Sequence, residues 1–189
     1  MENEISYIES GLTVLLQGQT ILYPTDTVWG IGCDATSKEA VQKIFDIKQR
    51  AESKSLIILV DGIEMLQEYV SDIPEKVIEL LKNTEKPTTI IYKNPRGLAT
   101  NVIAEDNTVA VRIVKHAFCE QLIARFGKPI VSTSANVSGA ETPVSFEKIS
   151  TSILNSVDYI VNLQLENESS NSSTILRLLD NGDFEVLRK

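Results

Sequence analysis

Apolar residues recur at helical spacing in several stretches of the chain. Ile5, Ile8, Leu12, Leu15 and Leu16 form one stripe, which stops at Gly18. Thr36 and Glu39 have the spacing of a capping box ahead of Val41, Ile44 and Phe45. Pro74, a residue suited to a first helical turn, precedes Val77, Ile78 and Leu81. Phe118, Leu122, Ile123 and Phe126 form a further stripe that Gly127 ends. Ser145 is placed to cap a helix bearing Ile149, Ile153 and Leu154. Between these stripes, short apolar runs predict strands at 20–23, 56–60, 88–92, 109–113, 130–132, 159–162, 174–178 and 184–187. Helix and strand signals interleave throughout, which predicts an α/β fold. Their spacing is irregular, so the expected sheet is mixed rather than regularly doubly wound.

Composition sets the scale. The 189 residues are the size of one ordinary domain, and a hydrophobic fraction of 42% is enough for a proper core. The polar stretch 166–173 reads as a flexible loop, not a boundary, so the expectation is a single domain over 1–189. The formal net charge of −8 argues against a generic nucleic-acid coat but leaves room for a local basic cleft. Much of the excess lies in residues 61–85, where seven acids face Lys76 and Lys82, and that stretch reads as a solvated outer face. Cys33 and Cys119 lack metal-ligand spacing and read as buried free thiols of a reducing compartment. No apolar run is long enough to span a bilayer and no leader pattern opens the chain, so a soluble, cytoplasmic protein is expected.

Four segments hold the candidate chemistry. Residues 23–34 run from Tyr23 through Pro24, Thr25, Asp26 and Thr27 to Gly30, Gly32 and Asp34. The glycines allow close backbone approach, to a ligand or simply in a structural turn. Lys48, Arg50 and Lys54 place three cations in a short stretch, either a phosphate site or a solvated basic loop. In 109–113, alternation sends Val109, Val111 and Ile113 to one face and Arg112 with Ala110 to the other. A strand arginine needs an anion, from a ligand carboxylate or from a structural Asp or Glu. Residues 132–139, STSANVSG, follow a strand directly, at a usual position for ligand contacts in open α/β sheets. Their hydroxyls and amide suit phosphate or ribose oxygens. The single histidine, His116, reads as a capping or surface residue, which weighs against a nucleophilic serine.

Taken in order, these pieces resemble the YrdC/TsaC family, the threonylcarbamoyl-AMP synthases of tRNA modification. The matching text is YPTDTVWGIGCDA, KQRAESKSL, TVAVRI, STSANVSG with Thr142 and Pro143, SSTI at 172–175, and Leu187-Arg188. The resemblance implies a twisted open mixed sheet with flanking helices around a large concave, positively charged cleft. It implies that threonine and bicarbonate give N-carboxy-threonine, whose carbamate oxygen attacks the α-phosphorus of ATP and expels pyrophosphate. A partner transferase complex would then move the threonylcarbamoyl group to an adenosine of tRNAs that read codons beginning with A.

By position, the resemblance puts Thr27, Arg112, Ser132 and Ser173 around threonine, with Arg112 on its carboxylate. It puts Lys48, Arg50, Lys54, Thr108, Ser134, Asn136, Thr142 and Arg188 around ATP, with Arg50, Lys54 and Lys48 neutralising charge during transfer. Mg²⁺ is expected to travel on the ATP phosphates, since no carboxylate cluster marks a protein site. The chain departs from the family pattern at Ala51 and Ser55, where proline is common, and at Leu59, where many members have histidine. Ser172 and Thr84-Glu85-Lys86-Pro87 also replace proline-rich elements. Two other readings remain at this level. One is an RNA-binding module that holds tRNA or double-stranded RNA in the same cleft. The other is a carbamoyl-adenylate former acting on carbamoyl phosphate.

Overall fold

The structure, a computed structural model, describes residues 4–50, 56–165 and 172–189. Helix α1 (Glu4–Leu16) buries Ile8, Gly11 and Leu15. Gly11 lets it lie close to Leu122 of α5 (Ala117–Phe126), since an added Cβ would already touch that side chain at 3.4 Å. The stripe is narrower than the sequence suggests: Ile5 and Leu16 lie off this contact line and are 52% and 68% exposed. Helix α5 buries Phe118, Leu122, Ile123 and Phe126, and Gly127 ends it in the left-handed region at φ 69°.

Helix α2 (Lys38–Lys48) starts one residue later than the capping-box pattern predicts. Asp34 takes Thr36 out of contention, accepting from its amide at 2.7 Å and its hydroxyl at 2.6 Å. Ser37 caps instead, accepting from the Ala40 amide at 3.2 Å. Further on, α3 (Ile63–Tyr69) and α4 (Glu75–Asn83) occupy the acidic stretch. Pro74 precedes α4 as expected, but α3 was hidden among the acids because its buried face is only Met65 and Leu66. The acids Glu64, Glu68, Asp72, Glu75, Glu79 and Glu85 point outward, so the solvated-face reading of their side chains agrees with the structure. The helix expected after Ser145 is broken. A single 3₁₀ turn at Phe146–Lys148 gives way to extended backbone at Ile149, and α6 (Thr151–Leu154) restarts after Ser150. Ile149 and Ile153 are nonetheless both buried.

All the sequence-predicted strands are present, as β1 (Ile21–Tyr23), β3 (Ile57–Val60), β4 (Thr88–Lys93), β5 (Thr108–Ile113), β6 (Ile130–Ser134), β7 (Tyr159–Ile160), β8 (Thr174–Leu178) and β9 (Phe184–Arg188). One more, β2 (Gly30–Gly32), lies in the segment 23–34, where the sequence predicts no second strand. Among the described residues the strands make one twisted mixed sheet in the order β7-β1-β2-β6-β3-β5-β4-β8-β9. Pairs β1–β7, β3–β5 and β4–β8 are parallel, and the others are antiparallel.

The glycines of β2 are explained by close neighbours. A Cβ on Gly30 would lie 3.1 Å from Ser132 Oγ and 3.3 Å from Thr25 Cγ2, and one on Gly32 would lie 2.8 Å from Cε1 of Tyr23. The Tyr23 hydroxyl donates to the Val131 carbonyl at 3.3 Å. A Cβ on Gly32 would also sit 2.5 Å from that carbonyl oxygen, which is backbone and has no room to move aside. Gly32→Ala is therefore expected to destabilise the protein by about 1–3 kcal/mol, as overpacking of a filled site does. An unchanged urea midpoint for this variant would show that the β1–β2–β6 junction is looser than its geometry implies.

Candidate functional site

Strand register assembles the floor of a cleft of about 330 Å³. Ser132 pairs with Ile57, Ile57 with Ala110, and Ala110 with Ile91, making one lateral row across β6, β3, β5 and β4. The next row runs from Leu59 through Arg112, Thr89 and Ile175 to Arg188. Cross-strand partners share a face, so both rows lie on the same side of the sheet. Apolar Ile57, Ala110, Ile91 and Ile175 thus form a floor on which Arg112 and Arg188 stand. Arg50 reaches the same cleft from the end of α2, and Thr27, Ser134 and Thr142 complete the wall.

Arg112 is 4% exposed and forms an ion pair with Asp26 at 3.0 Å. The other Asp26 oxygen accepts from the Lys115 amide at 3.3 Å. The reading of the strand arginine as paired with a structural carboxylate therefore holds. Arg112 also lines the cleft, and its buried Nε–H makes no hydrogen bond among the described residues. At the far wall, Arg188 donates to the Ser173 carbonyl at 3.0 Å and to its hydroxyl at 3.3 Å. That hydroxyl also shares a 2.8 Å hydrogen bond with Thr89. Burial lowers the pKa of the Arg50 guanidinium, and burial plus the charge of Arg112 does the same for Arg188. On the opposite wall the Thr25 hydroxyl bonds the Val28 carbonyl at 2.7 Å and the Thr27 hydroxyl at 3.0 Å, which fixes the loop that presents Thr27. Among the described residues lining the cleft, three carry guanidinium groups and none carries a carboxylate.

The structure thus brings together Thr27, Arg50, Arg112, Ser132, Ser134, Thr142, Ser173 and Arg188. Three other site candidates are placed elsewhere. The Lys48 ammonium is buried and donates to the Ser134 and Asn136 carbonyls at 2.5 and 2.7 Å, so it is turned into the protein rather than toward the cleft. Asn136 uses its amide nitrogen to close its own turn, onto Val137 and Ala140. Thr108 bonds Asp106 at 2.6 Å and faces an adjoining hollow, which shares Ile91 with the cleft and is also lined by Lys93 and Arg177. Lys54 lies outside the described residues. What the sequence did not reveal is the role of Asp26, because nothing local in the Pro24–Thr27 run announces a partner on a distant strand. The apolar floor was missed for a similar reason: its residues are ordinary strand aliphatics until register aligns them.

Elsewhere, burial raises the pKa of both free thiols, Cys33 and Cys119, which disfavours their thiolate forms. Among the described residues no group of three or more His, Cys, Asp or Glu could hold a metal ion. No described helix is long and apolar enough to cross a membrane.

Two outcomes are expected. Asp26→Ala leaves the Arg112 charge buried without its partner and should cost about 3–5 kcal/mol in urea unfolding, whereas the double change Asp26→Leu with Arg112→Met should recover much of that loss. Recovery failing in the double variant would mean that the pair is not the source of the cost. The second outcome concerns Lys48, whose pKa burial, followed by the charge of Arg50, lowers from 10.5 to about 8. Between those values the unfolded chain holds a proton that the folded protein has released, so stability rises with pH through this window. Measured against Lys48→Met, wild-type stability should gain up to ~1.4 kcal/mol per pH unit above pH ~8 and show no such slope below pH ~7.

The family model described as "Telomere recombination", covering Sua5, YciO and YrdC, matches residues 13–189. A threonylcarbamoyl-AMP synthase of Pseudoalteromonas translucida is 35% identical over 159 residues, which is 82% of this chain and 85% of the relative. The crystal structure of P. abyssi Sua5 complexed with L-threonine superposes with a TM-score of 0.87 at 26% identity. That match covers 100% of this chain and 55% of the Sua5 chain, so the present chain spans about half of that protein. E. coli YciO matches with a TM-score of 0.82 at 22% identity, covering 100% of this chain and 91% of the other, and this likeness speaks to fold. With a model match over nearly its whole length and a fold that superposes on Sua5, the chain belongs to the Sua5/YciO/YrdC family.

Proposed function

We propose that this protein is a threonylcarbamoyl-AMP synthase, which makes threonylcarbamoyl-AMP and pyrophosphate from L-threonine, bicarbonate and ATP. The observation that carries the reading is the convergence of Arg50, Arg112 and Arg188 with serine and threonine hydroxyls on one apolar floor. Such a cleft suits a ligand rich in anionic oxygen with an apolar portion. The names of the relatives and the threonine complex of Sua5 support the same reading.

In this assignment Arg112, held by Asp26, takes the threonine carboxylate through its guanidinium fork. Thr27, Ser132 and Ser173 surround the rest of the amino acid. Arg50, Ser134, Thr142 and Arg188 surround ATP, with Lys54 assigned to the same phosphates. Threonine and bicarbonate first condense to N-carboxy-threonine. A carbamate oxygen then forms a bond to the α-phosphorus as the bond to the β-phosphate oxygen breaks, and pyrophosphate leaves with that electron pair. The protein contributes alignment of the two anions and neutralisation of the charge that gathers on the α-phosphate and on pyrophosphate. No covalent enzyme intermediate is required. The described lining of the cleft has no carboxylate to ligate Mg²⁺, so Mg²⁺ is assigned to the nucleotide and no step is given to it. The product would pass, in the cytoplasm, to a transferase complex that modifies tRNA. The net charge of −8 weighs against RNA binding as the primary role.

The test is incubation with labelled threonine, bicarbonate and ATP, with threonylcarbamoyl-AMP and pyrophosphate followed together. Both should form only when all three substrates are present. Arg50→Ala should slow the reaction by at least ~100-fold, the usual scale for losing a group that stabilises developing charge. Arg112→Lys keeps a cation beside Asp26 but loses the fork, and should raise the KM for threonine more than that for ATP. Folded wild-type protein that binds ATP yet forms no adenylate would overturn the assignment.

A further inference from the structure

Lys48 and Arg50 are two residues apart, yet the structure uses them in different ways. Helix α2 ends in a left-handed residue, Gln49, at φ 49° and ψ 46°. The Gln49 amide donates to the Asp46 carbonyl at 3.1 Å, and the Arg50 amide donates to the Phe45 carbonyl at 3.0 Å. This is the paired bonding of a Schellman ending, which fixes the direction in which the chain leaves the helix. Arg50 is the first residue aimed by that turn, and it lines the cleft.

Lys48 faces the other way. It is 1% exposed, and its ammonium donates to the Ser134 carbonyl at 2.5 Å and the Asn136 carbonyl at 2.7 Å. Its own carbonyl accepts from the Ser138 amide at 2.8 Å. One residue therefore grips the loop 134–140 from both its side chain and its main chain. The Ala135 amide, donating to the Trp29 carbonyl at 3.0 Å, ties the same loop to the segment that ends at β2. A buried ammonium is costly unless its protons find acceptors, and two carbonyls supply them here. A phosphate ligand would instead have to keep its charge at the cleft surface.

We propose that Lys48 is a positioning residue that locks the end of α2 to the loop 134–140, setting Arg50 and Ser134 at a fixed separation across the cleft. This rests on the assignment of the cleft as the site of adenylate formation. Its structural part stands without that assignment, because the lock is present in the free protein.

The experiment reads amide hydrogen exchange in the free protein, then kinetics. Lys48→Met keeps the apolar stem and removes the donors. In the free variant, protection of the Ser138 and Asn136 amides should fall by about tenfold or more, while that of the α5 amides stays as in wild type. In the adenylate assay, kcat should fall by about 10–100-fold with a smaller change in the KM for ATP, as misalignment predicts. Unchanged loop protection together with a tenfold rise in the KM for ATP would overturn the proposal and make Lys48 a phosphate ligand. A second measurement on wild type needs no variant to fold. The ¹⁵Nζ resonance of Lys48 should stay in place on saturation with Mg²⁺-ATP, while that of Arg50 Nε shifts. A shift at Lys48 as large as that at Arg50 would also overturn it. If the loop loses protection but wild type makes no adenylate, the lock stands and the functional assignment fails.

Discussion

A charged guanidinium in the middle of a sheet constrains everything around it. Arg112 sits on β5 with neighbours on both sides, and its charge cannot be left in a low-dielectric interior without an anion. Asp26 supplies that anion from the loop after β1, which is brought across by the β1–β2–β6 run of strands. The loop is then pinned at both ends, by Asp26 to Arg112 and by Thr25 to Val28. Thr27 lies between these anchors, and its place on the cleft wall follows from them. One buried pair therefore couples the stability of the sheet centre to the shape of the site.

Much of this was legible in the sequence, for reasons that differ by element. Apolar runs such as 109–113 and 174–178 announce strands because alternation and β-branched content agree there. The α5 stripe and its Gly127 stop are equally clear, since the apolar face and the left-handed cap point to one boundary. Strand β2 was not legible, because two glycines flank its one strand former, Ile31. The neighbours that require those glycines, Ser132 and Thr25 at Gly30 and Tyr23 at Gly32, meet them only in the folded chain. Thr36 shows a local contest that pattern reading cannot settle, because Asp34 offers its hydroxyl a better bond than the helix does.

The candidate site divides along the same line. Residues whose chemistry is unusual for their setting, such as Arg112 in an apolar strand, could be singled out by type alone. Residues that depend on direction could not. Lys48 and Arg50 have the same charge and nearly the same position, and the left-handed turn at Gln49 sends one inward and the other to the cleft. Ile57, Ile91 and Ile175 become a binding floor only through a register that joins four strands from distant parts of the chain.

The edge of the sheet carries a consequence of another kind. Strand β7 pairs in parallel with β1, and the junction is stapled where both the amide and the hydroxyl of Thr20 meet Asp158 at 2.8 Å. These partners are 138 residues apart. A chain must close that loop before the contact returns any free energy, and parallel pairing at such separation is among the slower events in folding. On a ribosome, β1 would emerge long before its partner and wait with one edge bare. Its residues, Ile21, Leu22 and Tyr23, are all buried in the folded protein, so this waiting strand exposes surface that needs protection from other nascent chains.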